Sequence, residues 1–149
     1  MSLYFEDVEV GMRFESPART ITEADIVNFA GVSGDFNPLH TDDAFAATTP
    51  YGRRIAHGML ALSVVTGLRQ RMGVFDGTIL GFLEIRSWRF RAPVFPGDTI
   101  RAVTSVAELR ETSKPDRGVM IQGIEVLNQE DELVQDGEFV TLMRRRAAA

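Results

Sequence analysis

The chain has no cysteine, two histidines and one tryptophan among its 149 residues. Without cysteine there is no redox dithiol, no thiolate nucleophile and no thiolate zinc site, and nothing argues for a disulfide-built compartment. With two histidines, no metal site is expected either. Basic charge is short as well: 16 Lys and Arg stand against 21 Asp and Glu, a formal net charge of −5 with a pI near 5.0. A chain of that balance repels nucleic acid, and no such partner is expected. Long apolar runs are missing. The longest, Met59 to Leu68, is about half of the roughly 20 residues that a membrane-spanning helix requires. It reads as a core helix, and no membrane partner is expected. The first residues, MSLYFEDVEVGMRFE, carry acids where a signal peptide would be basic and then apolar, so the expected location is cytoplasmic.

What is present is ordinary globular composition, 44% hydrophobic and 25% charged. It fits one domain spanning residues 1–149 around one core. No long-period repeat or biased linker interrupts it. Helical signals dominate before residue 78. Thr22 is placed to cap a helix, with Asp25 as the reciprocal acid and Ile26, Phe29 and Ala30 on one face. A short helix is expected over Asp42 to Ala47. A third begins near Gly58 and is apolar nearly all round from Met59 to Val65, which predicts burial on most sides; Arg69 and Arg71 suit its C-terminal end and Gly73 its stop. After residue 78 the pattern is strand-like, with Trp88 and Phe90 alternating against Arg89 and Arg91, and Val119 and Ile121 against Met120 and Gln122. Helices followed by an antiparallel meander, with one apolar helix needing cover, predict an α+β fold in which the sheet wraps that helix. The basic run Arg144 to Arg146 beside the terminal AAA reads as a solvated tail.

Chemistry concentrates in SGDFNPLH, residues 33 to 40. Asp35 and His40 bracket Asn37 and Pro38, and Gly34 and Pro38 oppose regular helix, which predicts a rigid loop. A carboxylate and an imidazole make a complementary general acid and base. The bland alternative is a turn with a histidine that satisfies buried backbone groups. A second feature weighs against it. In IAHGML, residues 55 to 60, Gly58 opens the buried helix, where free N–H groups and the positive dipole end can polarise a carbonyl that glycine lets come close. Plain helix capping remains the alternative there.

The run FAGVSGDFNPLHTDDAFA, Phe29 to Ala46, resembles the hydratase signature of the MaoC-like family, the R-specific enoyl-CoA hydratases and dehydratases. IAHGML and FRAPVFPGD, Phe90 to Asp98, resemble the family's next two landmarks in order. The resemblance implies a single hot-dog fold, an antiparallel sheet around the Met59 to Leu68 helix, assembled as a homodimer or higher homo-oligomer. It also implies reversible hydration of a trans-2-enoyl-CoA to an R-3-hydroxyacyl-CoA in fatty acid metabolism. By position Asp35 and His40 would activate water, Asn37 would orient them or the water, and the Gly58 N–H would hold the thioester oxygen. Relatives often place a serine against the catalytic acid; spacing from Gly58 puts Thr66 there, although a mid-helix threonine can equally bond its own backbone.

The acyl-CoA partner needs an apolar slot, for which Phe45, Met59, Leu60, Phe82, Val94 and Phe95 are candidates or simply core. Its phosphates need cations, for which Arg53 and Arg54, or Lys114 and Arg117, are candidates. No cofactor is expected beyond the coenzyme A of the substrate. A thioesterase on the same fold, or an acyl-CoA sensor without turnover, are the rival readings.

Overall fold

The computed structural model describes residues 1–146. A 3-10 turn at Phe5–Asp7 and two short strands, β1 (Arg13–Glu15) and β2 (Arg19–Thr20), lead into four helices: α1 (Glu23–Ser33), α2 (Pro38–Thr41), α3 (Asp43–Ala46) and α4 (Gly58–Arg71). The long strands β3 (Ile79–Phe90), β4 (Thr99–Glu111), β5 (Arg117–Leu127) and β6 (Leu133–Arg144) complete an antiparallel sheet in the order β1-β4-β5-β6-β3, with β2 also on β4.

Local chemistry explains the helices. Thr22 accepts from the Asp25 N–H while the Asp25 carboxylate accepts from the Thr22 N–H, the expected capping box, and Gly34 ends α1 in the left-handed conformation at φ 75°. Helix α2 is a departure from the rigid loop expected there: Pro38 sits in its first turn, where a missing N–H costs nothing, and the Asn37 side chain caps it. Helix α4 is covered by the sheet as expected, with Leu62, Val65 and Leu68 packed against Ile100, Ile124, Val134 and Phe139. Each such side chain stabilises by about 1.5–3 kcal/mol. It is not buried all round. Met59, Ser63, Thr66, Gly67 and Gln70 form an exposed stripe at helical spacing.

Two further expectations change. On β5 the alternation does not separate a buried face from an exposed one: Ile121 on the Val119 side and Met120, Gln122, Ile124 and Val126 on the other are all wholly or almost wholly buried, so a glutamine occupies a core position. The C-terminal arginines are not free either. Arg145 pairs with Glu6 and Glu111, and Arg146 with Asp7, which ties the end of the described chain to its beginning. The Ala147 to Ala149 part of that tail lies outside the described residues.

In β3 a register shift falls between Arg86 and Arg89, and Ser87 takes a positive φ of 51°. This turns Trp88 inward over Gly137, where a Cβ would lie 2.6 Å from the indole. The bulge thereby delivers an aromatic wall to one end of α4.

Candidate active site

Two loops meet at the N-terminal end of α4. One carries Asp35 and leads into α2; the other, Ile55 to His57, leads into α4. His40 is buried, and its Nδ1–H donates to the Ile55 carbonyl oxygen at 2.7 Å, which leaves Nε2 as the ring's acceptor. His57 is buried too, and its Nε2–H donates to the main-chain carbonyl of Asp35 at 2.9 Å. The two imidazoles stack, with Phe29 on the other flank of His57 at 4.9 Å. A carboxylate oxygen of Asp35 and a nitrogen from each ring all lie within 4.8 Å of one another. A single water can therefore touch acid and base together.

The Asp35 carboxylate is exposed and accepts from the Asn37 N–H at 3.2 Å. The Asn37 side chain is occupied elsewhere: its Oδ1 accepts from the Leu39 N–H at 3.0 Å. Asn37 thus steers the loop through its backbone and the His40 helix through its cap. Thr66 donates to the Ser63 carbonyl at 2.7 Å, the local alternative weighed for it above.

Gly58 opens α4, and among the described residues no side chain caps that helix. A Cβ on Gly58 would lie 2.6 Å from the Phe90 ring, so any side chain here would have to push that half-exposed ring aside. The turn is braced from below: Gln135 donates to the Gly58 carbonyl at 3.1 Å, and the Trp88 indole donates to Gln135 at 3.1 Å. A cleft of about 390 Å³ opens here, lined by Tyr51, Ile55, Gly58, Met59, Phe90 and Gln135 among others. That volume suits a small-molecule site. Asp35 and His40 do not line it; His40 bonds the lining residue Ile55, and Asp35 is held by His57, which sits between the lining residues Ala56 and Gly58.

Of the slot candidates, Met59 and Val94 reach the cleft. Leu60 is core, Phe45 is exposed on α3, Phe82 packs against Phe139 on the edge strand, and Phe95 lies beneath Arg53, whose guanidinium is 4.1 Å from its ring centroid. Arg54 is already held by Asp43 and Glu23, which raise its pKa; Arg117, paired with Asp116 on the β4–β5 turn, and Lys114 beside it do not line the cleft. Arg91, paired with Asp136, does line the cleft. Nothing local in the sequence marks Gln135, Trp88 or Arg91 as site residues, since their convergence depends on the β3 bulge and strand register.

A sheet wrapped around one helix, with a carboxylate, two imidazoles and an open glycine turn at that helix's mouth, is a hot-dog architecture that suits a hydratase. The chain belongs to the MaoC-like family: residues 7–128 match the MaoC like domain. It is 34% identical to the 3-hydroxybutyryl-CoA dehydratase of Methylorubrum extorquens over 99% of this chain and 88% of that one. It is 38% identical to the (R)-specific enoyl-CoA hydratase of Aeromonas caviae over 91% of this chain and 95% of that one. Among solved structures, a monoamine oxidase regulatory protein from Archaeoglobus superimposes with a TM-score of 0.91 at 39% identity, covering 98% of this chain and 97% of that one.

Proposed function

We propose that this chain is a hydro-lyase that reversibly adds water across the double bond of a trans-2-enoyl-CoA to give the R-3-hydroxyacyl-CoA. The observation that carries the reading is the Asp35–His40 pair within reach of one water beside the Gly58 turn. Water held between the carboxylate and His40 Nε2 attacks C3 as its proton passes to the pair. The same pair returns a proton to C2, and the Gly58 N–H stabilises the enolate oxygen that forms between the two steps. The conjugated thioester supplies the activation, so the step uses no metal or redox group.

The family relatives named above, a dehydratase and a hydratase of acyl-CoA thioesters, support this over thioester hydrolysis. Homodimerisation belongs to the same proposal. Strand β3 is a sheet edge that leaves Leu80, Phe82, Leu83 and Ile85 40% to 53% exposed, a long apolar edge of the kind that natural proteins cover. No helix among the described residues is long and apolar enough to cross a membrane. Incubation with crotonyl-CoA tests the chemistry. Loss of the conjugated thioester absorbance without free thiol is expected; thiol release would establish the thioesterase instead, and binding without either change the sensor.

A further inference from the structure

Arg69 is, among the described residues, the one arginine, lysine or carboxylate that is buried, with 8% of it exposed. No carboxylate pairs with it there. One terminal N–H donates to Gln122 Oε1, while the Arg69 Nε–H and the Gln122 Nε2 amide, both enclosed, have no acceptor. Burial pulls the guanidinium down to about 10. A cation taken out of water without a counter-ion is costly, and leucine would fill a core position without that cost. Two neighbouring side chains, each with an orphan donor, describe a receptor for an anion that is not part of the described chain.

Its position says which anion. Arg69 follows Gly58 by eleven positions, three turns on along the same face of α4, about 16 Å further down the axis. Side chains on a helix lean back toward its N-terminus, so a guanidinium at this position lies roughly 10 Å from the Gly58 turn. An aromatic wall joins the two ends: the guanidinium lies 5.2 Å from the Phe139 centroid, Trp88 stacks on Phe139 at 5.3 Å, and Trp88 bonds the glutamine that braces Gly58. Phe82, half exposed at the sheet edge, meets the same Phe139 ring.

We propose that Arg69 and Gln122 receive a second carboxylate at the far end of the acyl chain, so that the substrate is the monothioester of an unsaturated dicarboxylic acid. The thioester oxygen sits at Gly58, the chain runs along the aromatic wall, and the terminal carboxylate takes the Arg69 Nε–H, a terminal N–H and the Gln122 amide. Arg69 is a specificity-determining residue, not a catalytic one. The inference rests on the hydratase reading of the same site.

Calorimetry with hexanoyl-CoA and adipyl-CoA, equal in length but ending in methyl or carboxylate, tests the receptor without turnover. Adipyl-CoA is expected to bind the wild-type protein at least tenfold more tightly, and Arg69→Met to reverse the order. Arg69→Lys, which keeps the charge and loses the fork, should bind adipyl-CoA at least fivefold more weakly than wild type. Equal affinities in the wild type, or a preference for adipyl-CoA that survives Arg69→Met, would overturn the proposal. Rates with trans-2-hexenoyl-CoA and trans-2-hexenedioyl-CoA separate the two readings. Hydration of the monoacid alone defeats the carboxylate receptor and leaves the hydratase, whereas hydration of neither, with the tenfold binding difference intact, defeats the hydratase and leaves the receptor.

Discussion

The imidazoles of His40 and His57 are stacked, with ring centroids 3.8 Å apart and planes inclined by 27°. One ring belongs to the proposed acid–base pair; the other holds the main chain of that pair's carboxylate through Nε2–H to the Asp35 carbonyl, while its Nδ1 has no partner among the described residues. His57 is therefore a positioning residue whose contribution resides in one hydrogen bond and one ring face. Glutamine can place an amide N–H near the Nε2 position; phenylalanine keeps the ring and loses the bond. His57→Phe is expected to lower kcat by about 10- to 100-fold with KM little changed, because small misplacement of a reacting group is expensive. His57→Gln should retain most of kcat. Equal losses in both variants would assign His57 to packing alone.

Asp35→Asn and His40→Ala should each lower hydration by roughly 10²- to 10⁴-fold, the usual span of general acid–base catalysis. The Asp35 side chain is exposed, and among the described residues its one hydrogen bond is from the Asn37 N–H. Its amide replacement should leave thermal unfolding within about 0.5 kcal/mol of wild type. A variant with an unchanged rate and an intact fold would remove that residue from the mechanism.

Gly58 is constrained from two sides, by the Phe90 ring above and by the Gln135 bond to its carbonyl below. Gly58→Ala inserts a methyl into the space of the ring and should cost about 1–3 kcal/mol by overpacking. Phe90 is 56% exposed, so Phe90→Ala alone should be mild. In that background Gly58→Ala should cost much less, a coupling that denaturant titration of the four proteins would reveal. Hydration by Gly58→Ala should remain impaired in both backgrounds if the thioester oxygen approaches this N–H.

Local signals carried the helices. Thr22 with Asp25 and Gly34 act within one turn and cap α1 as expected, and the apolar run from Met59 to Leu68 lies in α4, although Met59 and the stripe beyond it stay exposed. Asp35 and His40 stand out as a candidate acid–base pair for the same reason, because both lie in one eight-residue segment. What escaped depends on register. Alternation sets Gln122 on the face opposite Val119 without saying that both faces are covered, and only pairing with Phe139 on β6 and Val106 on β4 places Gln122 in the core. Strands β1 and β2, of 3 and 2 residues, are too short to show a period. Arg69 suited a helix C-terminus as well as any arginine does. Its burial follows from the sheet that closes over it, which no window along the helix contains.

The β3 edge supplies a test of assembly. Leu83 and Ile85 are 53% and 43% exposed on a strand that pairs only with β6 among the described residues. Lysine on such an edge opposes strand-to-strand association. Leu83→Lys together with Ile85→Lys should convert a dimer to a monomer in light scattering coupled to size exclusion, whereas a wild-type protein that runs as a monomer would refute the proposed assembly.

The ion pairs joining the chain's ends set an acid limit on stability. The Arg145 guanidinium holds the Glu6 carboxyl below its usual range, and the Arg146 guanidinium, helped by the Tyr4 N–H, does the same for Asp7. A carboxyl whose folded pKa lies below its unfolded value stabilises the fold above the unfolded pKa, about 4, and that contribution is lost as pH falls through the folded pKa. Both carboxylates are solvent-accessible, so the effect is small and screened by salt. Glu6→Gln with Asp7→Asn should lower Tm slightly at pH 7, with the gap to wild type narrowing below about pH 4 and shrinking in high salt. Asp116 is also held low by Arg117, but these are sequence neighbours and remain close in the unfolded chain. Asp116→Asn should therefore barely alter the pH dependence of Tm, and an equal effect at both places would show that burying the chain ends together contributes nothing beyond local pairing.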